Sequence, residues 1–198
     1  MNLHEDKNNT KEIKEIINGK IYYMGGTFTH AAVIRRLKDE FTFYFRDTGN
    51  EKCTVYSEGL NIFLDNADNK NYVSPDISII CDESKAVKRG YKGVPELIVE
   101  VLSKKTMSKD RGDKFKLYEK SGVKEYWIAD YKNKSIEQYV LENGKYNPPN
   151  TVVLMDEDDF EDLTDTEKES YDHTISLTIF DNLKINLNKI FLKTDIID

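Results

Sequence analysis

The stretch ELIVEVLSKKTMSKDRGDKFKLYEKSGVKEYWIAD, residues 96–130, decides the fold class. Its opening, Glu96 to Ser103, is apolar on both alternating sides except at Glu100, which fits a strand covered on both faces. Thr106 to Ser121 follows with helical spacing and is stopped by Gly122. Val123 to Asp130 is again mostly apolar and carries the only tryptophan, Trp127. Strand, helix and strand in this order form a βαβ unit with two parallel strands, so the sheet is expected to be mixed.

Working outward, Thr10 can cap a short helix bearing Ile13, Ile16 and Ile17, and Asn18-Gly19 then turns the chain into a strand, Lys20 to Met24. Thr29 to Phe45 has helical spacing of Ala32, Ile34, Leu37, Phe41 and Phe45. Val55 to Leu64 and Tyr72 to Cys81 read as strands joined by the turn-rich Asp65 to Asn71, and Lys85 to Gly93 as a basic loop. Ser135 to Glu142 and Lys145 to Val153 suit outer strands of a meander. Asp156 to Asp172 reads as a solvated acidic loop, an insertion in the domain. In the closing segment Ile185, Leu187, Ile190, Phe191 and Leu192 call for burial in the same core. The expectation is one α/β domain over residues 1–198, a mixed central sheet flanked by helices.

The chain has 198 residues and a formal charge of −7, which at first argues against a polyanion partner. Ten acids and one base lie between Asp156 and Asp172, however, while Lys85 to Lys120 holds eleven bases against five acids. A phosphate-facing surface is therefore available. No stretch approaches the length of a spanning helix and the start lacks a leader-like apolar core, so a cytoplasmic protein is expected. Cys53 and Cys81 show no metal spacing and read as small core residues rather than a disulfide framework.

Glu100 interrupts an otherwise apolar strand, and burying an unpaired carboxylate costs several kcal/mol, so it must meet a cation, a donor or an opening. Asp76, after Pro75 at the junction of two extended runs, is its natural companion. Two carboxylates and the backbone oxygen of Val101 would be hard ligands for Mg²⁺, with Mn²⁺ able to substitute. The structural alternative is a salt bridge from Glu100 to a lysine of the next helix. On that helix Met107, Asp110, Lys114, Leu117 and Tyr118 share a stripe, which brings Lys114 inward. Lys114 could orient or deprotonate a water, neutralise charge on phosphorus, or simply pair with Asp110. Lys104, Lys105, Lys109 and Arg111 would hold a nucleic-acid backbone. His30, near a helix start, could touch phosphate or be a surface histidine.

EIINGKIYYM (Glu15 to Met24) and His30, SPDISIICD (Ser74 to Asp82), RGYKGVPELIVEVLSKKT (Arg89 to Thr106), DRGDKFKLYEKSGVKEYWIAD (Asp110 to Asp130) and TISLTIFDNLKINLNKIF near the end together resemble the Uma-two family of restriction endonuclease-like proteins, within the PD-(D/E)XK nuclease superfamily. The resemblance implies Asp76 and Glu100 as metal carboxylates and Glu15 as a helix glutamate supporting the site. Leu102 stands where the strict motif has its lysine, as is usual for this family, which points to Lys114 as the substitute. The implied activity is Mg²⁺-dependent hydrolysis of DNA phosphodiesters, with homodimers common in the superfamily. The displaced lysine keeps open an inactive nuclease-fold module that binds nucleic acid or a protein partner.

Overall fold

The computed structural model describes residues 14–17, 19–23, 26–64, 72–180 and 183–194. It opens with a hairpin, β1 (Lys14–Ile17) and β2 (Lys20–Tyr23), in which Ile17 faces Lys20 and Gly19 takes φ +76° in the turn. A helix was expected over residues 10–17; Glu15 and Ile17 are instead buried from a strand that also pairs with Tyr72. Thr10, Ile13 and Met24 lie outside the described residues.

Helix α1 (Phe28–Thr48) starts on Thr27, whose hydroxyl accepts from the His30 N–H, and ends on left-handed Gly49. β3 (Thr54–Ser57) is shorter than the expected 55–64 strand, although Ile62 still forms a bridge with Val73. β4 (Ile77–Ile80) is likewise shorter than expected, and the turn-rich 65–71 lies outside the described residues. The basic loop contains a small hairpin, β5 (Ala86–Val87) and β6 (Gly90–Tyr91).

β7 (Leu97–Val101) leads through α2 (Met107–Lys109), a π-helical stretch (Asp110–Lys114) and α3 (Phe115–Ser121) to β8 (Glu125–Asp130). β7 and β8 are parallel, with Glu100 opposite Ile128. β9 (Ser135–Glu142) pairs with β8, and β10 (Lys145–Tyr146) and β11 (Asn150–Val153) share its outer edge. Among the described residues the sheet runs β10, β9, β8, β7, β4, β3, with the β7–β8 pair parallel and the rest antiparallel, so it is mixed as the βαβ pattern requires.

The acidic stretch is α4 (Glu157–Glu161) and α5 (Asp165–Ser170), not a loop. Each has a side-chain cap, Asp156 for α4 and a Thr164/Glu167 capping box for α5, and neither buries a residue. Local capping and acids at the helix starts account for these helices, since no core does. The chain closes with β12 (Thr174–Ser176), β13 (Lys184–Asn186) and α6 (Leu187–Ile190).

Two cores sandwich the sheet. Leu97, Val99 and Val101 pack with Val33, Leu37 and Phe41 of α1 and with Ile185, Leu187, Ile190 and Phe191 of the tail. Ile98 and Leu102 join Ile17, Ile62, Val73 and Tyr118 on the other face. Leu192 alone of the five tail residues is exposed, because it follows α6 on the outer side. The cysteine expectation is also corrected. Register sets Thr54 opposite Ile80, which brings the half-buried Cys53 and Cys81 together as a disulfide. Among the described residues no helix is long and apolar enough to cross a membrane.

Candidate metal and phosphodiester site

Strand alternation turns Glu100 to the face shared by Ile98 and Leu102, beneath α2, the π-helical stretch and α3. There Lys114, fully buried, donates to Glu100 at 2.7 Å and Glu15 at 2.8 Å and stands 3.8 Å from Asp110. The Tyr118 hydroxyl donates to the same Glu100 oxygen at 2.7 Å. Lys109 donates to the other oxygen of Glu15, and the Ser74 N–H reaches Glu15 at 2.9 Å. Glu15 thus supports the cluster, but from a strand.

Burial pushes the Glu100 carboxyl well above the usual range, aided by the nearby Asp110, Asp76 and Glu15 and opposed by Lys114. Burial also works against the charge of Lys114, yet Glu100, Glu15, Asp110 and Asp76 together hold it well above the ordinary lysine value. Glu15 shows the converse balance, with Lys114 and Lys109 outweighing burial and pulling its carboxyl down. Lys114 is therefore a fixed ammonium, suited to orientation and charge neutralisation rather than to taking a proton from water.

A second polar group lies across the backbone of Val101. Its N–H donates to Asp76 at 2.7 Å, and its carbonyl oxygen is 2.9 Å from His30 Nε2. That nitrogen is also 3.3 Å from Asp76. One ligand atom each from His30, Glu58 and Asp76 lie within 4.8 Å of one another. Burial and then the neighbouring Asp76 raise the Glu58 carboxyl, the response of an acid crowded against another. His30 is raised too: burial lowers it, but the contact with Asp76 outweighs that.

The carboxylates of Asp76 and Glu58 and the His30 imidazole converge in a set that fits a divalent cation, and the crowding of Glu58 on Asp76 is what a cation would relieve. Asp110, in the Lys114 cluster, has both carboxylate oxygens buried without a hydrogen-bond partner and is balanced by the Lys114 ammonium at 3.8 Å.

The expected residues are distributed as follows. Asp76 accepts from the Val101 N–H, while the neighbouring Glu100 turns its carboxylate to Lys114 and Tyr118. His30 is buried beside Asp76 instead of lying on the surface. Lys109 is buried against Glu15 and Arg111 is paired with Glu137, so neither offers a free surface cation, whereas Lys104 and Lys105 are exposed. Glu58 escaped the sequence reading altogether. It follows β3 directly, and its backbone N–H donates to the Asp76 carbonyl at 3.1 Å, a pairing that only strand register reveals.

A family model described as Uma2, "Putative restriction endonuclease", matches residues 2–169. An uncharacterized protein from Synechocystis is 37% identical over 109 residues, covering 54% of this chain, and the match spans about half of that relative, 55%. The crystal structure of a "putative nuclease belonging to DUF820" from Anabaena variabilis superposes with a TM-score of 0.68, covering 92% of this chain and 91% of its own, at 15% identity. This last likeness concerns the fold.

Proposed function

The chain belongs to the Uma2 family, and on that premise we propose that it is a metal-dependent endonuclease acting on DNA, with Asp76 and Glu100 as its central carboxylates. The observation that carries the reading is the seam at Val101, where Asp76, His30 and Glu58 gather on one side and the Glu100–Lys114–Glu15 cluster on the other. A bound divalent ion would polarise a phosphate and lower the pKa of water. Asp76, the Val101 carbonyl and Glu100 would hold it, with His30 and Glu58 as further donors. Mg²⁺ suits the oxygen ligands, and a contribution from the imidazole favours Mn²⁺. Lys114 locks Glu100 in place as a fixed positive charge, and Lys104 and Lys105 face solvent where a phosphate backbone could pass.

The test is nicking of supercoiled plasmid with Mg²⁺ or Mn²⁺. Cleavage abolished by Asp76→Ala and by Glu100→Ala, with circular dichroism unchanged, supports the reading. One observation favours the inactive module instead: Lys114 and Tyr118 close over Glu100, which is only 2% exposed. Divalent ions that raise the melting temperature without any cleavage of DNA or RNA would establish that reading. A homodimer and a cytoplasmic location remain parts of the proposal, the first checked by sedimentation and the second by cell fractionation.

A further inference from the structure

A cavity of 620 Å³ is lined by Asn61, Phe63, Tyr72, Lys88, Arg89 and Lys92. Its size falls in the range of small-ligand pockets. Phe63 and Tyr72 form an aromatic wall, their ring centroids 5.8 Å apart. Lys88, Arg89 and Lys92 are exposed, and none has an ion-pair partner among the described residues. On the same loop, by contrast, Lys85 pairs with Asp82. Three cations without an ion pair among the described residues thus line one aromatic cavity.

The wall is built rather than incidental. Tyr91 donates its N–H to Asn61 at 2.9 Å and Phe63 donates to Tyr91 at 2.9 Å, zipping the β5–β6 hairpin onto residues 61–63. Gly90, at φ +146°, approaches so closely that a Cβ there would stand 2.0 Å from the Asn61 carbonyl oxygen. Ile62 in turn pairs with Val73, and Tyr72 pairs with Ile16 next to Glu15. Tyr72 precedes Asp76 by four residues, so their Cα atoms are at most roughly 13 Å apart.

We propose that this cavity binds a nucleotide of a single-stranded segment of nucleic acid, its base against Phe63 and Tyr72 and its phosphates on Lys88, Arg89 and Lys92. A base in a duplex has both faces stacked and cannot enter a concave aromatic wall, whereas an unpaired one can. The inference rests on the nuclease reading for its substrate and narrows that substrate to DNA with an unpaired stretch near the cut.

The experiment measures fluorescence anisotropy of a labelled oligo(dT), and of a duplex of equal length, with the full chain in EDTA. Tyr72→Ala should weaken oligo(dT) binding about five-fold or more and leave duplex binding unchanged, and Tyr72→Phe should restore it. Lys88→Ala with Arg89→Ala should reduce the slope of log affinity against log salt by about 1.4. No measurable oligo(dT) binding, or equal losses for both probes in Tyr72→Ala, would overturn the proposal. Intact pocket-dependent binding by a protein that cuts nothing in Mg²⁺ or Mn²⁺ would sink the nuclease reading while supporting this one.

Discussion

Glu125 shows how much a single buried carboxylate organises. It lies at the start of β8, fully buried, and accepts from the Trp127 indole, the Gln138 amide, the Thr178 N–H and hydroxyl, and the Ile179 N–H. Those donors tie β9 and the closing segment to the centre of the sheet. Glu125→Ala strands all of them in a dry environment, so we expect a loss of at least about 3 kcal/mol in urea unfolding. A loss below about 1 kcal/mol would mean that water replaces the carboxylate. Neither Glu125 nor Glu58 was legible in the sequence, since both are surrounded by ordinary strand-end residues and their partners come from distant segments. Glu100 and Lys114 were legible because a charge inside LIVEVL and a lysine on the inward stripe each violate their local pattern.

At the scale of elements, the βαβ unit was readable because its strands are apolar throughout and its helix ends on glycine. β1 was not, because Ile13, Ile16 and Ile17 also satisfy helical spacing and only pairing with β2 and Tyr72 selects the strand. The Cys53–Cys81 bridge was hidden for the same reason, being a product of β3–β4 register. It closes a loop with a sequence separation of 28, and its reduction should lower the unfolding free energy by about 3.6 kcal/mol. Denaturation midpoints with and without dithiothreitol measure this, and equal values would show that strand pairing alone suffices. In a reducing cytoplasm the open form would be the working one.

The α3–β8–β9–β10 face carries an aromatic cluster with its own pH signature. Tyr118 packs on Tyr126 at 5.0 Å, and Phe115 on Tyr139 at 5.0 Å and Tyr146 at 5.1 Å. Burial raises the phenols of Tyr118, Tyr126, Tyr139 and Tyr146 above their ordinary value. Groups whose folded pKa is raised stabilise the fold fully below the unfolded value of about 10 and lose that contribution as pH climbs beyond it. Stability should therefore fall above about pH 10, with these tyrosines absorbing as phenolates only on unfolding. Early, reversible ionisation of every tyrosine at 295 nm would contradict the packing.

Across the whole molecule charge is unevenly spread: α4 and α5 present an exposed run of acids, while Lys104 and Lys105 lie exposed just after β7. The hairpin glutamate joins distant parts of this body, for Glu15 bonds Ser74, Lys109 and Lys114 at once. Lys109 has no other carboxylate partner among the described residues, although its ammonium lies 5.4 Å from the Tyr22 ring. In Glu15→Ala, Lys109 should become reactive to amine-modifying reagents, read by peptide mass mapping, while remaining protected in the parent protein. Equal protection in both would show that the Tyr22 ring suffices to hold it.

The wide π-helical turn between those two lysines has a mechanical corollary. Five-residue spacing aims Lys109 and Lys114 at one acceptor, whereas at regular α-helical pitch they would diverge by roughly 140°. Glu15 thus acts as a clasp on a coil, holding both ammoniums against the hairpin while the widened turn lasts.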